Sequence, residues 1–303
     1  MSTDVLHEFG KHPDWNESFY FNFYDRKNDA FAFMRIGLKP NMNEKNAFCF
    51  FMMPDGSLLG MRGQDPVSDM ELQVGKLRFD RIVPEKKWHL SFSGTMERHV
   101  EKIATPEQVS FAVDFESLNE VFDYRECVKG IGEKISEAIA SEHFEQFGRA
   151  SGRLNVGAIE YILDGLGERD HSWGIRDWSA PKMWIWLTCQ FSRKLALNVT
   201  KLTMDTAEVD AGFIHIDGNN IPLARADIHT EWDAGRNPKR LEMTLEDKRG
   251  RLHSVQSDVM RQAIVPFVGA NGKMVSLMHE ALARYTMGSE VGYGVAEYLI
   301  RTT

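Results

Sequence analysis

Hydrophobic positions along this chain come in short alternating runs closed by turn residues, which is the pattern of β-strands with one buried face. Phe19–Tyr24 is an aromatic run. Ala30–Leu38 ends at Lys39-Pro40-Asn41, and Ala47–Met53 meets Pro54-Asp55-Gly56, a turn that leads into Ser57–Met61. Glu71–Val74, Leu77–Val83, Trp88–Phe92, Gly94–Ile103 and Val109–Leu118 continue the series. Runs of roughly 5–10 residues at about 10-residue spacing predict a sandwich or barrel. The alternation of strands with long helices that marks a parallel sheet is missing. One stretch breaks the rhythm. In Glu133–Phe144, Ile135, Ala138, Ile139 and Glu142 fall at helical spacing, which predicts a short helix serving as plug or connector.

After Gly152 the strand rhythm returns in Arg153–Asp164, and Gly165-Leu166-Gly167 reads as a turn. Met183–Phe191, Ala196–Asp205, Gly212–Ile216, Ile221–Trp232, Arg240–Glu246, Leu252–Val265, Lys273–Arg284 and Gly292–Ile300 complete the chain as strands. The expected class is therefore mostly β. Two antiparallel barrel or sandwich domains, 1–150 and 151–303, follow one another with a short helix at the end of the first. No sequence repeat relates them.

Composition narrows the function. The 303 residues are 43% hydrophobic and 26% charged, a globular balance, and are enough for two cores. The 36 basic and 44 acidic side chains leave a net charge of −8, which argues against nucleic acid and against an anionic membrane surface. Cys49, Cys127 and Cys189 are odd in number and far apart, so neither a disulfide framework nor a cysteine-rich zinc site is indicated. The N-terminal stretch carries no apolar run of the secretory kind, and no segment approaches the ~18 apolar residues of a membrane span, so a cytoplasmic setting is expected.

The densest group of chemically capable side chains is Gly167–Trp178. If it runs extended, His171, Trp173 and Asp177 share one face, and Asp170, Ser172, Arg176 and Trp178 share the other. An imidazole near a carboxylate is an acid–base unit, an arginine holds an oxyanion or fixes a carboxylate, and a tryptophan face steadies a cation. The plain structural alternative is a polar strand whose arginine–aspartate pairs only hold the fold. A second group is His143–Arg149. Continued as helix, it puts His143 beside Phe147 and Glu145 beside Arg149, an ordinary surface ion pair. Tyr20 belongs to a third group, the aromatic run after Trp15-Asn16-Glu17-Ser18, which either lines an apolar pocket or simply fills the core. His215 and Asp217 share a strand face at metal-ligand spacing, but a polar pair beside a turn explains them as well. Dinucleotide, P-loop, HExxH and nucleophile-elbow patterns are absent, so no metal is assigned and no cofactor is expected.

The run Arg169–Trp178 resembles the Asp-His-x-Trp-Gly signature of the AttH-like and carotenoid 1,2-hydratase (hydroxyneurosporene synthase) superfamily. His12–Ser18, Glu145–Arg149 and Gly292–Tyr298 fit a bacterial group of two-domain proteins within it. This resemblance implies two consecutive lipocalin-like β-barrel domains, a cavity for hydrophobic molecules, and acid-catalysed addition of water to an alkene without a cofactor. It points to His171 and Trp173 as functional. A Tyr-x-Asp pair also implicated there has no clear counterpart in this chain, and related double barrels carry out cyclisations, so the fold does not fix the reaction.

Three readings follow. The first is a cofactor-independent lyase or isomerase, by hydration, dehydration or retro-aldol cleavage. Its substrate would be a hydrophobic small molecule such as a terpenoid, steroid or aromatic dimer. Asp170, His171, Arg176 and Asp177 would be catalytic, and Trp173, Trp178, Glu145 and Tyr20 would hold the substrate. The second is a binding protein for the same ligands without chemistry. The third is an oligomerising role with the tryptophans at a homodimer interface.

Overall fold

The computed structural model describes residues 3–128, 142–175, 180–268 and 274–302. Among them the secondary structure is antiparallel β with two single-turn 3-10 segments. None of their helices is long and apolar enough to cross a membrane. Two compact units divide the chain. One comprises Met1–Val121 and His143–Ile175, the other Phe122–Glu142 and Arg176–Thr303. The expected boundary at 150/151 thus falls inside a strand of the first unit. Apart from Phe122–Glu142, the second unit begins after the Asp-His-x-Trp-Gly strand.

The first unit contains β1 (Trp15–Asp25), β2 (Ala30–Lys39), β3 (Glu44–Met52), β4 (Leu58–Asp65), β5 (Gln73–Val74), β6 (Leu77–Val83), β7 (Lys87–Val100) and β8 (Ile103–Ser117). After the short β9 (Phe122–Asp123), β10 (Glu142–Val156) and β11 (Ile159–Ile175) complete it. The sheet runs β4-β3-β2-β1-β11-β10-β8-β7-β6-β5, and β4 also pairs with β7, so eight of these strands form a closed circuit. The late strand β11 is therefore the neighbour of the first strand β1, with Phe19 opposite His171 and Tyr20 opposite Asp170. Odd-numbered Phe19, Phe21 and Phe23 enter a core shared with Met34, Ile36, Phe51, Trp88, Leu90, Phe111 and Phe115. Even-numbered Asn16, Ser18, Tyr20, Asn22 and Tyr24 face the other way and are also buried, so β1 is covered on both sides.

The second unit is a closed barrel of β12 (Met183–Gln190), β13 (Leu195–Thr203), β14 (Glu208–Ile216), β15 (Asn219–Trp232), β16 (Pro238–Asp247), β17 (Leu252–Val268), β18 (Met274–Met287) and β19 (Glu290–Arg301). Its interior is filled by Leu187, Val199, Ile214, Leu241, Leu245, Val255, Tyr285 and Tyr298. Full closure removes exposed sheet edges, as in the lipocalin-like architecture.

Three local expectations change. Most of the anticipated helix lies outside the described residues, and its last residues, Glu142–Phe144, open strand β10. Arg153–Asp164 is not one strand but the tip of a hairpin turning at Gly157, whose φ is +56°. Gly165 and Gly167 are not a turn. They lie mid-strand because β1 passes so close that a Cβ on Gly167 would stand 1.8 Å from the carbonyl oxygen of Asn22.

Candidate functional site

The pleat of β11 sends the signature residues to opposite faces. Arg169, His171 and Trp173 project to the core side with Phe19 and Phe21, while Glu168, Asp170 and Ser172 project to the outer side with Asn22, Tyr20 and Ser18. His171 and Asp170 therefore do not form one acid–base pair. Each instead has its own cluster, and Arg176, Asp177 and Trp178 lie outside the described residues.

The core-side cluster closes over the N-terminal segment. His171 is fully buried and stacks on Phe19 at 4.0 Å between ring centroids. Its Nδ1 donates to the carbonyl oxygen of Thr3 at 2.7 Å, and its Nε2 lies 2.9 Å from Glu17 Oε1. The same carboxylate oxygen is 2.8 Å from His7 Nδ1, and the backbone N–H of His7 donates to Oε2. His7 stacks on Trp173 at 3.5 Å. One register step along, Arg169 is buried with Asp4 at 2.8 Å, donates to Gln146 Oε1 and lies over the Trp88 ring. Burial pushes the Arg169 guanidinium down, and Asp4 opposes that shift. Every odd residue of the motif thus grips the segment Thr3–His7. Both ring nitrogens of His171 are thus engaged inside the fold.

The outer-side cluster gathers what the sequence had scattered. Because β10 is a strand, His143 and Glu145 project to the same face, and Phe144 and Gln146 to the other. His143 Nε2 is 2.8 Å from Glu145 Oε1 and 3.4 Å from Asp170 Oδ2. Burial works against charge on His143, but Asp170 and then Glu145 outweigh it and push the imidazole up to about 10. Burial pushes Glu145 up as well, against the pull of His143. Glu168, close by, pulls Glu145 down and so opposes the effect of burial. Asp170, with its side chain 18% exposed, is more open to solvent than His143 or Glu145. Cross-strand pairs Ser18–Ser172, Tyr20–Asp170 and Asn22–Glu168 extend the polar row. Asn22 is 1% exposed, and neither its amide nitrogen nor its oxygen has a partner among the described residues. Alongside lies an aromatic surface on β2 and β3, where Phe33 stacks on Phe50 at 5.2 Å and Phe48 meets Tyr20 edge-on at 6.4 Å.

Of the predicted residues, Asp170, Glu145 and Tyr20 share this outer face, while His171 and Trp173 sit behind it. Arg149 does not pair with Glu145. Strand geometry turns it to Asp164 at 2.7 Å instead. The sequence pattern put His143 beside Phe147 on a helix face and Glu17 with the aromatic run, with a role for neither, and left His7 outside every group. A strand reading of Glu142–Gly148 would have placed His143 and Glu145 on one side. Glu17, charged inside a wholly buried aromatic strand, was the other available signal. The second unit has its own opening of about 500 Å3, lined by Lys201, Glu208, Asp227, His229 and Glu242 among others. It is polar, with Lys201 bound to Asp210 at 2.9 Å and Glu208 at 3.3 Å.

Two consecutive lipocalin-like β units with this arrangement are the fold of the AttH-like proteins. An AttH-like protein from Nitrosomonas europaea superposes with a TM-score of 0.65 at 11% identity, over 98% of each chain. CghA with Sch210972 gives 0.59 at 12% identity, over 98% of this chain and 93% of the other. Kievitone hydratase from Nectria haematococca gives 0.56 at 10% identity, over 100% and 95%. At the level of sequence the chain belongs to the family defined as a domain of unknown function, DUF7064, which matches residues 1–302. No curated protein shows significant sequence similarity to it.

Proposed function

We propose that the chain is a lyase or isomerase of hydratase type, acting by acid–base chemistry of its own side chains on a hydrophobic small molecule. One observation carries this reading. On a single face, His143 joins two carboxylates at 2.8 and 3.4 Å, beside Tyr20 and an aromatic surface. An acid–base enzyme needs two groups whose environments hold them in opposite protonation states. Burial favours a protonated Glu145, while Asp170 and Glu145 together hold a proton on His143.

In a dehydration, Asp170 takes the proton from a carbon next to a carbonyl. The C–O bond at the neighbouring carbon breaks, its oxygen leaves as water with a proton relayed from the Glu145–His143 pair, and a C=C bond forms. Hydration is the reverse. In the retro-aldol version Asp170 takes the proton of the hydroxyl, the C–C bond breaks as the hydroxyl carbon becomes a carbonyl, and the enolate carbon left behind takes a proton from the Glu145–His143 pair. Phe33, Phe48 and Phe50 form an aromatic cluster beside it, and the amide of Asn22, unpartnered among the described residues, suits a substrate oxygen. CghA bound to Sch210972 and kievitone hydratase share this fold and support small-molecule chemistry on it.

The test is a panel of β-hydroxy ketones and allylic alcohols on terpenoid, steroid and diaryl skeletons, incubated in D2O and followed by mass spectrometry. Loss or gain of water, cleavage, or deuterium uptake at the acidic carbon is expected. Asp170→Asn should lower the rate by about 10²–10⁴-fold with ligand affinity held within about tenfold. Full rates in both Asp170→Asn and Glu145→Gln would remove the cluster from the mechanism. Binding without turnover would favour the passive carrier.

A further inference from the structure

We propose that His7, Glu17 and His171 bind a divalent transition-metal ion of the zinc class, on the face of β11 opposite the acid–base cluster. The inference stands on different residues and does not depend on the reading of His143.

His7 Nδ1, Glu17 Oε1 and His171 Nε2 all lie within 4.8 Å of one another. The nitrogens approach one and the same oxygen, at 2.8 and 2.9 Å. His171 Nδ1 is committed as donor to a carbonyl, which has no proton to give. That leaves Nε2 to face the carboxylate oxygen of Glu17. A single cation at the convergence point answers both nitrogen–oxygen contacts at once.

Each ligand is also held from behind. The Nδ1–H···O contact to Thr3 is the orienting bond typical of a metal-ligating histidine. Phe19 and Trp173 fix the two imidazole planes by stacking, and the His7 backbone fixes the second carboxylate oxygen. Two histidines and a glutamate are a known zinc donor set that leaves a fourth position open. Arms of about 2.0–2.2 Å at tetrahedral angles separate ligand atoms by about 3.4 Å, so the cluster must widen by about half an ångström. His7, with its side chain 25% exposed on the N-terminal segment, can supply that movement and gives the ion a way in. The ion would then staple this segment to the signature strand.

The test uses untagged full-length protein stripped with chelator. Titration calorimetry with ZnCl2 and visible absorption with CoCl2 should both give one ion per chain, with Kd at or below about 1 μM. The cobalt spectrum should be that of a four- or five-coordinate nitrogen–oxygen site. His7→Ala removes a partly exposed ligand on the N-terminal segment and should weaken binding at least a hundredfold. Glu17→Gln should do the same, and if that variant does not fold, His7→Ala decides alone. His143→Gln should leave affinity unchanged. Absence of binding in the wild type, unchanged affinity in His7→Ala, or loss of binding only in His143→Gln would each overturn the proposal. Any of these would leave the triad as a hydrogen-bonded cluster.

Discussion

The charge on His143 is the most exposed consequence of the outer cluster. With a folded pKa of about 10 against 6.5 for the free side chain, the group binds its proton more tightly in the folded state. Its contribution is fully present below pH 6.5 and is lost as pH rises through 10. At 1.36 kcal/mol per unit, that difference is on the order of 5 kcal/mol. Glu145 works the other way. Its raised pKa means that holding it in the fold costs stability at any pH above its unfolded value, so the net gain is smaller, on the order of a few kcal/mol. For a unit of this size each kcal/mol moves the melting temperature by about 2–4 °C. The melting temperature should therefore fall by about 10 °C more in the wild type than in His143→Gln between pH 6.5 and 10, the difference cancelling the titration of lysines and tyrosines. Proton NMR of the imidazole supplies the direct check. A resolved His143 resonance titrating with a midpoint at or below 7 would refute the reasoning, because it would mean that burial prevails over Asp170 and Glu145. If His143 takes part in proton relay as an acid, turnover should also persist through neutral pH and decline toward 10.

Other outcomes follow from the core-side contacts. Asp4→Ala leaves the Arg169 guanidinium buried with its counter-ion gone, and should cost about 3–5 kcal/mol by denaturant unfolding. Asp4→Leu combined with Arg169→Met should recover most of that loss, and failure to recover any would show that the pair does more than neutralise itself. Gly167→Ala places a methyl group against the β1 backbone at Asn22, where no side chain can rotate away. A loss at or above the upper end of about 1–3 kcal/mol is expected in a thermal melt, and a melt equal to wild type would show that the strands can part without cost.

Much of this protein was written in its one-dimensional pattern. Alternation in Phe19–Tyr24, Ala30–Leu38 and Ala47–Met53 and turns such as Pro54-Asp55-Gly56 depend on local sterics and on which side of a pleat is apolar. They foretold strands that the structure contains. The same period of two placed His171 with Trp173 and Asp170 with Ser172. Where local signals misled, a neighbour had overridden them. Gly165 and Gly167 look like a turn but are glycine because β1 lies against them, and His143–Phe144 looks helical but completes a sheet. What pairing decided could not be read from spacing at all. Closure of the first circuit puts β11 against β1, 154 positions away in the chain at the contact between Glu17 and His171. Only that register brings Tyr20 to Asp170. The return of the N-terminal segment, which delivers His7 and Asp4 to the motif, likewise exists only in three dimensions. Residue types set which chemistry was available. Long-range hydrogen-bond register, which no local propensity encodes, chose which carboxylate each histidine would meet.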